Sequence, residues 1–312
     1  MKLLLFLTAS LWLLSCKKDS KEPAQKLSRR EELTDNGTLI ITQYEYDAQG
    51  RIVAIKTGQN NDPVQPNITV TYNGNEASLH FLPYVDGAVT TTRQLHLILD
   101  AGGKLLRRML SSQTVDALHP ANFQSASDTM DCAYDAAGFL VTVSGRRSDS
   151  SWYQPATSIT SRRTFTTLYT TVDGKLTHTD QTGLVSRMVS DNSAVTSITK
   201  TLDYHGIFSY TKQYPNKFDC RNAAILNQTS GYGGSDMYFT VNVFEPLVDA
   251  QYQYMPERTQ LQALEKENGN VVVGFNSDVE VARTYNQDGM LATTEIITPN
   301  HGLQKISYFY SR

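Results

Sequence analysis

Tyr46-Asp47-Ala48-Gln49-Gly50-Arg51-Ile52 is the stretch whose chemistry decides the fold. An Asp at the first position of a turn accepts hydrogen bonds from backbone amides further along the turn. A Gly at the fourth position takes positive φ without a Cβ penalty. Such a turn reverses the chain between two antiparallel strands. The flanks agree, because residues 38–46 and 51–56 are rich in β-branched and apolar side chains with partial alternation. The form returns as Leu99-Asp100-Ala101-Gly102-Gly103-Lys104-Leu105 and as Tyr134-Asp135-Ala136-Ala137-Gly138-Phe139-Leu140. Looser copies span 179–185, 202–208 and 285–291. Gly50, Gly103, Gly138, Gly183, Gly206 and Gly289 are therefore the expected turn glycines. Asn36-Gly37, Asn73-Gly74, Asp173-Gly174 and Asn268-Gly269 are shorter relatives.

Outward from these turns, 270–276, 279–285, 290–298 and 304–310 have strand composition, each bounded by a turn signal. Residues 258–268 are the best helix candidate, and strand is still favoured there. The expected class is all-β: a long antiparallel meander of roughly 15–20 strands. A flat open sheet rarely carries so many, so it is expected to curl into an open or closed barrel-like sheet.

The N-terminus stands apart from this pattern. Lys2 precedes an apolar run, Leu3 to Leu14, broken only by Thr8, Ala9 and Ser10. Twelve residues rise about 18 Å as a helix, well short of the roughly 30 Å hydrocarbon core, so the run reads as a signal-peptide core. Leu13-Leu14-Ser15-Cys16 resembles the bacterial lipobox, which implies cleavage before Cys16 and acylation of its thiol. An ordinary secretory signal ending in a chance Cys is the alternative. Residues 17–25, Lys-Lys-Asp-Ser-Lys-Glu-Pro-Ala-Gln, read as a solvated tether. Lys rather than Asp at position 17 resembles sorting to the outer membrane. The expected organisation is a removed leader (1–15), a lipidated Cys with its tether (16–25) and one β-hairpin-repeat domain (26–312).

Tyr46-Asp47-Ala48-Gln49-Gly50-Arg51-Ile52 also resembles the YD repeat of RHS-type proteins. The lipobox, charged tether, degenerate hairpin motifs and closing aromatic strand Tyr308-Phe309-Tyr310 together resemble Bacteroidota lipoproteins of unknown function described as having a porin-like fold. That resemblance implies a barrel and an envelope location, and no substrate.

The chain carries 28 basic and 31 acidic residues, net −3, and the leader removes only one Lys. Nucleic-acid binders present a basic face, so nucleic acid is not an expected partner. Cys132 and Cys220 remain for a possible disulfide in an oxidising envelope; two separate thiols are the alternative. Neither C-x-x-C nor a metal spacing among His80, His96, His119, His178, His205 and His301 is present, so no metal or other cofactor is expected. Gly231-Tyr232-Gly233-Gly234-Ser235-Asp236 fits neither a nucleophile elbow nor a P-loop. Trp152-Tyr153, in a stretch (145–161) expected to be a long loop, is a candidate glycan-stacking pair, with a hydrophobic plug over the sheet end as the bland reading.

These features favour a non-enzymatic cell-envelope lipoprotein, a structural or binding module bound to the membrane through its N-terminal lipid. A glycan, a lipid or an envelope protein is its candidate partner. A carrier of an apolar ligand in a barrel interior and a glycan-active enzyme on a β scaffold are the alternatives.

Overall fold

The computed structural model describes residues 25–34, 36–60, 62–153, 157–191, 194–210, 220–226, 255–298 and 302–311. Seventeen strands run β1 (Lys26–Leu33), β2 (Leu39–Tyr46), β3 (Ile52–Gln59), β4 (Gln65–Asn73), β5 (Glu76–Phe81), β6 (Tyr84–Asp86), β7 (Val89–Leu99), β8 (Leu105–Asp116) and β9 (Phe123–Tyr134). They continue as β10 (Leu140–Tyr153), β11 (Thr157–Val172), β12 (Lys175–Asp191), β13 (Ala194–Ser209), β14 (Arg258–Glu267), β15 (Asn270–Tyr285), β16 (Leu291–Thr298) and β17 (Gly302–Ser311). Among the described residues one helix, α1 (Cys220–Leu226), lies between β13 and β14.

Each strand pairs antiparallel with the next, except that β5 pairs past the short β6 with β7, and β17 returns to β1. The sheet is thus a closed antiparallel barrel of 16 strands, with β6 as an appendage on β7. Closure leaves no sheet edge, which a meander of this length needs.

The sequence alternation selects the inner wall. In β7, Leu95, Leu97 and Leu99 are buried while Gln94 is exposed. In β15, Val279, Val281 and Arg283 are buried while Glu280, Ala282 and Thr284 are exposed. Register carries this face round the ring, since directly paired residues share a side. Leu97 opposes Ala77 and Arg108, Arg108 opposes Met130, Met130 opposes Gly145, and Gly145 opposes Phe165.

The two barrel ends differ. One carries the Asp-x-x-Gly turns, and their chemistry forms there as expected. Asp47 Oδ1 accepts from the amides of Gln49 and Arg51, both at 2.9 Å, and the Gly50 amide donates to the Asp47 carbonyl at 3.0 Å. Gly50 sits at φ +78°. Asp100, Asp135 and Asn286 hold the same turn around Gly103, Gly138 and Gly289, all with positive φ.

A second period joins each turn to the next hairpin. Tyr46 donates from its hydroxyl to the Leu27 carbonyl, Tyr72 to Ile52, Tyr134 to Leu105, Tyr210 to Leu176 and Tyr310 to Leu291, at 2.6 to 2.9 Å. In four of these the basic residue before that apolar one covers the ring: Lys26 over Tyr46, Arg51 over Tyr72, Lys104 over Tyr134 and Lys175 over Tyr210. The repeat is therefore a hairpin that begins basic-apolar and ends in Tyr. Its base is fixed by a hydrogen bond and a cation–π contact, and its far end varies in length.

Three expectations change. Gly183 and Gly206 are not turn glycines: they lie within β12 and β13, where the surrounding strands pair continuously. A Cβ at Gly183 would meet the Thr164 carbonyl oxygen at 2.8 Å, and one at Gly206 would strike the Thr179 hydroxyl, so both serve close approach. Residues 145–153 and 157–161 are strand rather than loop, because Thr142 to Tyr153 pair in register with Leu168 to Thr157. Residues 270–285 form one strand rather than two, with Ser277 and Asp278 paired to Leu261 and Gln260 at the expected break.

Candidate functional site

The end that carries the Asp-x-x-Gly turns is stoppered from within. Ile52, Ile55, Leu79, Leu95, Leu97 and Ile306 project inward at 0–2 % exposure and pack with Ile225 of α1 and with Met255. Asn222 fixes α1 there, accepting from the Ile52 amide at 3.1 Å and donating to the Gly50 carbonyl at 3.0 Å. Arg283 reaches from the inner wall to the Pro256 carbonyl. The apolar part of the interior is thus filled by the chain itself.

Further along, the inner wall turns polar and charged on β8 to β14. Arg108 Nη2 and Asp128 Oδ2 form a buried ion pair at 2.7 Å, and Arg147 grips both oxygens of Asp149 at 2.8 and 2.9 Å. Glu265 accepts from the Tyr204 hydroxyl at 3.0 Å, with Lys200 Nζ at 3.8 Å. Arg147 opposes Arg163 directly, Arg163 opposes Val185, and Val185 opposes Lys200. Arg187 stands two residues from Val185 on the same face and is exposed, so solvent reaches this part of the wall. No single sequence motif announced this belt. Its signal was arginines at face-matched positions on neighbouring strands, and only the register makes that visible.

At the far end the rim is apolar. Trp152 opposes Phe123, which opposes Val115, and the three are exposed in a row on the outer face. Tyr153 points the other way, onto the inner face, where its hydroxyl accepts from Gln124 Nε2 at 2.8 Å. The two candidate stacking aromatics are therefore adjacent in sequence yet face opposite sides of the wall.

The outer wall is mixed: Leu168, Leu184, Met188, Ile207, Ile297 and Phe309 are exposed on it, and charged pairs are spread around the ring. Arg107 pairs with Asp131 at 2.5 Å, His205 with Asp180 at 2.7 Å, Lys305 with Glu295 at 2.8 Å, Lys56 with Glu45 at 2.5 Å, and Arg258 with Asp278. Ser and Thr fill much of the space between, as at Ser111, Ser127, Thr129, Ser144, Thr164, Thr166, Thr182 and Ser186.

Cys132 lies on the inner face of β9; the side chain of Cys220, the other half of the possible bridge, lies outside the described residues. Burial pushes the Cys132 thiol up to about 12. Cys16, the tether and the Gly231–Asp236 loop also lie outside the described residues. Among the described residues no cluster of His, Cys, Asp and Glu could hold a metal ion.

No family model matches the chain, and neither does any curated protein. Among solved structures it is similar to a porin-like protein from Bacteroides vulgatus, at 13% identity and a TM-score of 0.46, covering 92% of this chain and 99% of that one. It is also similar to a porin-like protein from Bacteroides uniformis, at 10% identity and a TM-score of 0.42, covering 93% and 98%.

Proposed function

We propose that the chain is a non-enzymatic envelope lipoprotein, cleaved before Cys16 and acylated there, whose closed barrel stands in water beside the outer membrane as a binding module. The carrying observation is the outer wall. A barrel that crosses a bilayer turns an apolar band about 25 Å tall toward lipid, and a Lys or Arg on that face costs about 2–4 kcal/mol at the midplane. Here that face carries ion pairs on four strand pairs and a His205–Asp180 hydrogen bond on a fifth, with Ser and Thr between them.

The tether then sets the orientation. β1 starts at Lys26 on the Asp-x-x-Gly end, so residues 16–25 leave from the stoppered end. Ten extended residues reach at most about 33–36 Å, which holds that end close to the bilayer and turns the mouth away. A ligand enters from the mouth and meets polar side chains, since the apolar interior is occupied by Ile225 and Met255. The two inner-wall carboxylates that are diagonal neighbours, Asp128 and Asp149, are each engaged by an arginine, which argues against an acid/base pair.

Cell fractionation of Cys16→Ser tests the reading. Folded protein moving from the membrane to the soluble fraction is expected; a chain that stays in the membrane without its lipid is a spanning barrel, and the reading fails.

A further inference from the structure

The inner wall of β10 to β13 holds four cations on four successive strands. Arg147, Arg163 and Lys200 lie in one cross-strand row, with Val185 between the last two, and Arg187 sits one step toward the mouth. Directly opposed residues place their Cβ atoms about 4.5–5.5 Å apart, and like charges there are destabilising. The chain as a whole is acidic, so composition does not explain such a concentration. Asp149 is gripped by Arg147, Glu265 is shared between Tyr204 and Lys200, and Glu267 stands directly across from Lys200, so three acids lie beside the four cations and Arg187 is the cation set furthest toward the mouth.

From this juxtaposition we infer that the belt is a binding site for an oxyanion-bearing ligand, phosphate or carboxylate, entering from the mouth. Guanidinium groups suit such ligands because their planar forks match two oxygens at once. Arg187 is exposed, and Lys200 is about a third exposed, so an incoming anion can reach both. The same inner face runs from Arg147 through Ser151 to Tyr153 on β10, and through Ser161 and Ile159 to Thr157 on β11. That track offers hydroxyl groups, and at its end an aromatic ring, to the rest of a longer ligand. The inference rests on the proposed orientation only in needing the mouth to be open to solvent.

The test is calorimetric titration and thermal shift on the full chain carrying Cys16→Ser, with inorganic phosphate, trigalacturonate and neutral maltotriose as probes. One or both anions should bind and raise the melting temperature while maltotriose does not, and Arg163→Gln/Arg187→Gln should weaken binding at least tenfold. A response to phosphate alone identifies a small anion as the source; tighter trigalacturonate binding identifies an acidic saccharide. Absence of anion binding, or equal binding by the double variant, overturns the site. If the double variant is unfolded by circular dichroism, Arg187→Gln alone decides, because its exposed side chain leaves the fold intact: it should weaken binding severalfold, and unchanged binding overturns the site. Fractionation is independent of these residues, so failure here leaves the envelope reading standing.

Discussion

Tyr72 closes the base of its hairpin onto Ile52, its hydroxyl donating to the Ile52 carbonyl at 2.8 Å while the Arg51 guanidinium lies 4.2 Å from the ring centre. The contact links the end of β4 to the start of β3, and it recurs with other residues at four further hairpins. Burial pushes the Tyr72 hydroxyl up to about 12; Arg51 pulls the other way and Asp47 adds to the rise.

A raised folded-state value means that the neutral hydroxyl stabilises the fold. That contribution is whole below about 10, the unfolded value, and is lost as pH climbs through about 12. Tyr72→Phe should lower stability at neutral pH by about 0.5–1.5 kcal/mol. It should also flatten the loss of stability between pH 10 and 12. Urea melts across that window check both; an unchanged alkaline slope would mean that the hydroxyl does not hold the hairpin.

Gly50 and Arg51 separate backbone from side chain in the motif. Gly50→Val places a β-branched residue at φ +78° and should cost about 1–2 kcal/mol or somewhat more. Arg51 forms an ion pair with Asp47 at 2.7 Å and stacks on Tyr72. Because the side chain is more than a third exposed, Arg51→Ala should cost about 0.5–1 kcal/mol, less than Gly50→Val. Equal or greater loss at Arg51 in paired denaturant melts would make the motif a side-chain clamp rather than a turn.

Cys132 should behave as a buried hydrophobe. The thiolate is the reactive form, and burial holds the thiol up at about 12, so iodoacetamide at pH 8 should label native protein slowly and unfolded protein readily. Mass mapping without reductant checks this. A Cys132–Cys220 bridge would instead leave the unfolded chain unlabelled at both positions until it is reduced.

The turns were legible because their chemistry is local: Asp or Asn and a Gly three positions on supply the acceptor and the positive φ that one hairpin closure needs. The same local form misled at Gly183 and Gly206, where a strand continues because its neighbours pair along its whole length and the missing Cβ admits them. The basic-apolar start and the Tyr that closes on it were visible only in halves, since variable far ends separate them by 19 residues at Tyr46 and 34 at Tyr210. That variation is also why the glycine spacing is irregular. The inner arginine belt was not legible at all. Arg147, Arg163 and Lys200 become neighbours only through the register of four strands, and no single stretch of sequence encodes that register.

The central claim is that this barrel stands in water. It is tested most directly by single cysteines on the outer face of neighbouring strands, at Ser111, Thr129, Ser144, Thr166 and Thr182, in the lipid-anchored protein on intact membranes. A membrane-impermeant maleimide, applied once the outer-wall side is made accessible, should label all five at similar rates, with Cys132 silent behind the wall. A protected band about 25 Å tall, with labelling only above and below it, would place the wall in lipid and contradict the claim.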